Sequence, residues 1–434
     1  MPFPSLARSG VAGRWPARRP NWPMLALAVA LVWCAAAKPA PKSDAPPPTG
    51  IPYQGMDAKQ LKALAGTKVD LVPLKGKTIN SVELIKLTPG KQPGTLQSVA
   101  FKSADGGPTR NLRAAAVARL MDGTTPYDVM PDRQHKGGFI LIDVAARDKL
   151  VSARLKEKGD CSLWPVLSAE QRAEAVKENK KFLEKVRGAV GEVKFQLHET
   201  DYYLFYTDMP QANVAPVIAD LDSMYLTLGQ KFGVHEGENI WHGKAMIVVF
   251  ATKDRFARFE RGVMEVSDVA DHQSFYHTFF NGDVLTACYV GDDPNHFIAN
   301  LIRDTARSYM FRYRSNIYLP TWLGEGMTEW ISASIVPNKQ AARMQQERAA
   351  QTARTIGSLD GFFEAKNLKS WQWGVASSMA DILIKTDAQA YRALIQGVKE
   401  GQTWEESLQD SYGLTRADLV QLYGDQIGVP NLRP

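Results

Sequence analysis

Seven histidines are scattered along the chain: His135, His198, His235, His242, His272, His277 and His296. No two stand four residues apart, so no helix face presents the paired imidazoles that hold a catalytic zinc. Three cysteines, Cys34, Cys161 and Cys288, lack C-x-x-C spacing. That excludes a cysteine zinc ribbon, and three is too few for a disulfide framework. No G-x-S-x-G elbow occurs, and Cys288 sits in a β-prone run beside no obvious base. The charged residues say more. Arg303 and Arg307 are four apart, with Asp304 beside the first; Glu325 and Glu329 are four apart further on. Alone, R-D-x-x-R is a solvated helix face. Two guanidiniums on one face also repel unless an acid lies between them.

The elements that carry these residues can be read from their edges. Asp293 is a good N-cap and Pro294 a good first helical residue, so a helix is expected from Pro294 to about Tyr313. Phe297, Leu301, Ile302, Thr305 and Tyr309 fall on one side of it. His296, Asn300, Arg303 and Arg307 fall on the other. LPTWLGEGMTEW (319–330) begins the next helix, and the chain stays helix-rich from Lys339 to Gln426, with a last helix near Arg416–Tyr423. Trp322 and Trp330 read as core.

Upstream, Val193–Tyr206 reads as a strand pair or one bent strand. Val214–Leu228 has helical period, Lys244–Phe250 is a buried strand, and Phe256–Met264 a short helix. Asn281-Gly282 between β-prone runs marks a hairpin over 275–290. The order is α+β.

The segment LPTWLGEGMTEW resembles the P-x-W-L-x-E-G-x-A-E segment of the peptidase-MA-like zinc metallopeptidases, the gluzincins. The resemblance covers roughly 190–425. It implies a zincin-like domain over 191–430 with a helix-rich C-terminal part. It also implies that Glu325 stands where active members carry their third zinc ligand. The positions matching H-E-x-x-H read Arg303-Asp304-Thr305-Ala306-Arg307. Guanidiniums stay protonated and have no lone pair to give a metal. Asp304 takes the place of the general base, with no zinc-bound water to act on. The resemblance therefore implies a degenerate site: Arg303, Asp304, Arg307 and Glu325 are vestigial positions, with no catalytic residue, metal or cofactor. An Arg–Glu–Arg cluster around Glu325 is expected, with Asp304 or Glu329 as second choices of acid. The cleft would be lined by Asn300, Arg303, Arg307, Glu325 and Glu329. A displaced metal site of His272, His277 and His296 with Asp292, Asp293 or Glu325 matches no known spacing.

The N-terminal part reads differently. Residues 1–37 hold four arginines and no acid, then MLALAVALVWCAAA (24–37), a signal-peptide pattern with a plausible cleavage site at Ala35-Ala36-Ala37. The apolar run is short for a bilayer span, so no stable membrane span is expected after cleavage. Residues 38–57 are a Pro-rich linker. A small mostly-β domain, a barrel or sandwich, is expected over 58–160. Its candidate strands are Val69–Val72, Ser81–Leu87, Leu96–Lys102 and Phe139–Val144, and His135 lies in a loop. Ser168 and Gln171 form a capping box for a charged connecting helix within 161–190. Under export, Cys161 and Cys288 would either pair or remain free thiols.

The formal charge is +6, but much of it lies in the leader, and no basic run interleaved with aromatics calls for nucleic acid. The expected function is an exported, non-catalytic protein of the periplasm, envelope or exterior, whose cleft takes a peptide or envelope component. The hairpin edge could accept an extended peptide by strand addition, which needs no zinc. The alternatives are an active zinc peptidase with an atypical metal site and a purely structural envelope component.

Overall fold

The structure is a computed structural model that describes residues 53–434 except 74–76, 104, 133–137, 192, 236 and 336–339. The expected leader, the linker as far as residue 52, Cys34 and His135 lie outside the described residues. Among the described residues, no helix is long and apolar enough to cross a membrane.

The first region opens with α1 (Ala58–Leu64), closed at its start by an Asp57–Gln60 capping box. Seven strands follow: β1 (Lys68–Pro73), β2 (Ile79–Pro89), β3 (Leu96–Lys102), β4 (Arg110–Arg113), β5 (Val117–Asp122), β6 (Thr125–Pro131) and β7 (Phe139–Asp143). They form one antiparallel sheet in the order β4-β3-β2-β1-β5-β6-β7. It curls until Thr95, just before β3, bridges Ile140 of β7. Leu71, Val82, Leu84, Val99, Phe101, Leu120 and Leu141 fill the concave side.

The strand expected to run to Val144 stops at Asp143. That carboxylate accepts from the amides of Ala145 and Ala146 at 2.8 and 3.1 Å and starts α2 (Val144–Lys156). The first region is thus mostly β, with α1 and α2 as its two α-helices among the described residues. β4, β5 and β6 also went unread; in β4 and β6 the arginines and prolines break the apolar alternation a strand normally shows.

The second region is layered. It begins with α3 (Ala169–Val190), β8 (Gln196–Glu199), β9 (Tyr203–Thr207), α4 (Gln211–Phe232), β10 (Ala245–Phe250) and α5 (Lys253–Gly262). The hairpin strands β11 (Ser274–Thr278) and β12 (Val284–Tyr289) come next, then α6 (Pro294–Arg312) and α7 (Thr321–Ile335). The end is helical: α8 (Gln340–Ile356), α9 (Gln372–Thr386), α10 (Ala388–Lys399), α11 (Trp404–Tyr412) and α12 (Arg416–Ile427). The chain is thus mixed α+β, with a curled antiparallel sheet first and a helix-rich part last.

The five-stranded sheet has the order β11-β12-β10-β9-β8. β10 pairs in parallel with both β12 and β9, and every one of its residues is buried. That fits a strand covered on both faces. Leu204, Val248 and Phe250 pack with Leu183, Val186, Phe256 and Phe259 of α3 and α5. Phe205, Ile247 and Val249 pack on the opposite face with Leu221, Leu301 and Tyr309 of α4 and α6. The charged helix α3 is therefore part of a layer rather than a bare connector. Its exposed side does carry Glu–Lys pairs such as Glu178–Lys181. The stretch at 193–206 is a strand pair, β8 antiparallel to β9.

The ion pairs Arg119–Glu238 and Arg314–Asp148 cross between the regions, and each is continued by a pair within one region. Asp128 of β6 meets Arg119 and Arg147, each at 2.6 Å. Arg119 reaches Glu238 at 3.1 Å, and Arg314 reaches Asp148 at 2.9 Å and Glu400 at 3.0 Å.

Candidate functional site

Asp293 caps α6 by accepting from the Asn295 amide at 2.9 Å, with Pro294 in the first turn. The helix lies against β11, β12 and α7. Phe297, Leu301, Ile302, Thr305 and Tyr309 are buried as the period requires. The residues of the opposite side differ in exposure. His296 is exposed, whereas Asn300 is buried and bonds Gln273 through its amide at 3.3 Å.

α7 supplies the acids. A side chain at Gly326 would bring its Cβ to 2.4 Å from the Ala376 carbonyl oxygen of α9. Glycine there lets α7 and α9 approach closely, and this fixes where Glu325 and Glu329 stand.

Arg307 and Glu325 form a two-point pair. Nε of Arg307 donates to both carboxylate oxygens at 3.2 Å, and Nη2 donates to Oε2. Nη1 of the same arginine donates to Asp304 Oδ1. Arg303 goes elsewhere. Its Nε lies 2.8 Å from Glu329 Oε1, in ion-pair contact off the N–H direction, and its Nη1 donates to Asn300 Oδ1 at 3.1 Å. The expectation of one cluster around Glu325 is corrected. Two pairs form, because Glu329 lies within reach of Arg303 and Glu325 is taken by Arg307.

The electrostatics follow from burial. Burial alone would lower the Arg307 pKa, but Asp304 and Glu325 raise it above its ordinary value, so the guanidinium stays charged. Burial raises the Glu329 carboxyl, against the pull of Arg303 and Arg307. Asp304 is 3% exposed, and its Oδ2 has no hydrogen-bond partner.

These residues do not fit a divalent metal. Arg303 and Arg307 have no lone pair to donate. Both oxygens of Glu325 and one of Asp304 are committed to a cation. No protein-family model matches this chain, and no curated protein matches it.

The remaining candidates are dispersed among other contacts. His277 faces away from α6 and sits 3.0 Å from the buried Glu260 of α5. His272 packs on Phe275, ring centres 4.7 Å apart. Among the described residues, no three His, Cys, Asp or Glu are grouped to hold a metal. Cys161 and Cys288 are free thiols, which settles the open alternative against a disulfide. Cys288 is fully buried; burial first, then Asp304 and Glu260, push its pKa well up. Trp322 is core, and Trp330 is half-buried with the Lys231 ammonium 4.6 Å from its ring centre.

Two residues of this neighbourhood were missed. Tyr276 and Trp373 both lie against Arg307. Strand alternation could have placed Tyr276 on the α6 side, opposite His277. Nothing in the sequence brings Trp373 to the same place.

Proposed function

We propose that this chain is an exported, non-catalytic metallopeptidase-like protein whose vestigial cleft binds a peptide or a component of the cell envelope. One observation carries the reading: the guanidinium of Arg307, at a position where the gluzincin resemblance expects a zinc-binding imidazole, is paired with Glu325, where it expects the third ligand. A charged pair fills the place of metal and ligand, and neither partner can activate water as a metal would.

The zincin-like identity of the second region belongs to the same proposal. A mixed sheet with an antiparallel edge strand, β11, beside the helix that carries the two arginines is consistent with it. Such an edge offers unpaired backbone groups to an extended peptide. The cleft itself would be the one formed by Asn300, Arg303, Arg307, Glu325 and Glu329. Export rests on the pattern of residues 1–37, and its destination would be the periplasm, the envelope or the exterior.

The test has two arms. A random-peptide library is selected on the immobilised protein, and enriched peptides are retested on Tyr276→Pro, which interrupts the β11 edge. In parallel, labelled casein is incubated with the zinc-supplemented protein. The proposal expects enriched peptides that lose binding to the variant, and no casein cleavage. Chelator-sensitive cleavage, or a selection without enrichment, would overturn it.

A further inference from the structure

Arg307 has an aromatic ring on each of two neighbouring elements. Its guanidinium carbon lies 5.7 Å from the Tyr276 ring centre and 5.5 Å from that of Trp373. Tyr276 is on β11, Trp373 is in the first turn of α9, and Arg307 is on α6. Three elements far apart in sequence meet at one flat cation. The strand they secure is the outermost of its sheet, with β12 as its only strand neighbour among the described residues. On the far face Phe275 stacks on Phe256 of α5, ring centres 5.9 Å apart, and His277 meets Glu260, while Thr278 Oγ1 bonds the Tyr318 hydroxyl at 3.0 Å; on the α6 side, Tyr276 is held through Arg307.

We propose that Arg307 is a latch that holds the edge strand β11 against α6 and α9, through simultaneous contact with Tyr276 and Trp373. The residue type suits the task. A guanidinium offers its face to aromatic rings while its rim donates to carboxylates in its own plane. Glu325 takes the Nε and Nη2 rim, and Asp304 takes Nη1. These pairs set the plane, and the plane sets the rings. A lysine could keep the charge but would lose the flat surface. Loss of the latch frees β11 to open locally, at a cost well below that of global unfolding. The inference stands apart from the proposed function, since the mobility of β11 can be read with no peptide present.

The experiment is hydrogen exchange on the full chain. In Arg307→Lys, amides of 274–278 should exchange about tenfold faster, with those of α10 (Ala388–Lys399) unchanged. Trp373→Leu keeps both carboxylate pairs and should show the same acceleration. Tyr276→Phe keeps the ring and should leave exchange at the wild-type rate. Wild-type rates over 274–278 in both Arg307→Lys and Trp373→Leu would overturn the latch. So would equal acceleration of β11 and α10, which would mean general loosening. Acceleration in Arg307→Lys alone would assign the effect to the ion pairs and overturn the aromatic contact as its basis.

Discussion

Nε of Arg307 on α6 donates to both carboxylate oxygens of Glu325 on α7, each at 3.2 Å. The side chains are 13% and 18% exposed. A pair so placed gives little net stability, yet it is costly to break from one side, because the surviving ion keeps its desolvation cost.

Glu325→Ala should therefore destabilise the chain by about 3 kcal/mol, measured by urea unfolding. Asp304 would remain hydrogen-bonded to Arg307. Removing both charges, as in Arg307→Met with Glu325→Leu, should recover most of the loss. A double variant as unstable as Glu325→Ala would contradict this account of the pair.

Glu329 provides a pH test. Its carboxyl is raised by burial from the ordinary value of 4.5. A raised folded pKa gives a contribution fully present below the unfolded value and lost as pH rises through the folded one. The stability of the wild type minus that of Glu329→Gln should fall as pH rises from about 4.5. A difference that stays flat or rises would show that Arg303 outweighs burial.

Asp128 should behave in the opposite sense. Burial alone would raise its carboxyl; His235 at 3.9 Å, then Arg147 and Arg119, bring it well below its ordinary value of 3.8. Its contribution is present above that value and lost as pH falls through the lower folded one. Asp128→Asn leaves Arg147 buried and should cost about 3 kcal/mol at neutral pH. The deficit should shrink in strong acid. Urea curves across pH that show an unchanging deficit would refute the assignment.

The two described cysteines should differ in reactivity. Cys288 is buried with a raised pKa, and Cys161 is half-buried with its thiol 3.7 Å from the Lys158 carbonyl oxygen. Brief iodoacetamide treatment of the native chain should label Cys161 and spare Cys288. Equal labelling, seen by peptide mass spectrometry, would contradict the burial of β12.

Local signals in the sequence located most elements of the second region. Asp293-Pro294, the Ser168–Gln171 box and Asn281-Gly282 each act within a turn, so each can be read from a few neighbours. β4 and β6 were hidden because their exposed or half-buried residues lack a marked apolar face. The site was legible as a set of charges but not as a set of pairs. Which acid meets which arginine depends on how α7 packs on α6 and α9, and only the α7–α9 approach has a local mark, Gly326 against Ala376. Trp373 joined the site through tertiary packing alone.

The most direct measurement is zinc content by elemental mass spectrometry, after incubation of the purified chain with zinc and desalting. The account predicts less than about one-tenth of an equivalent, because guanidiniums occupy the positions where ligands would be needed. A full equivalent, lost on Glu325→Ala, would contradict it.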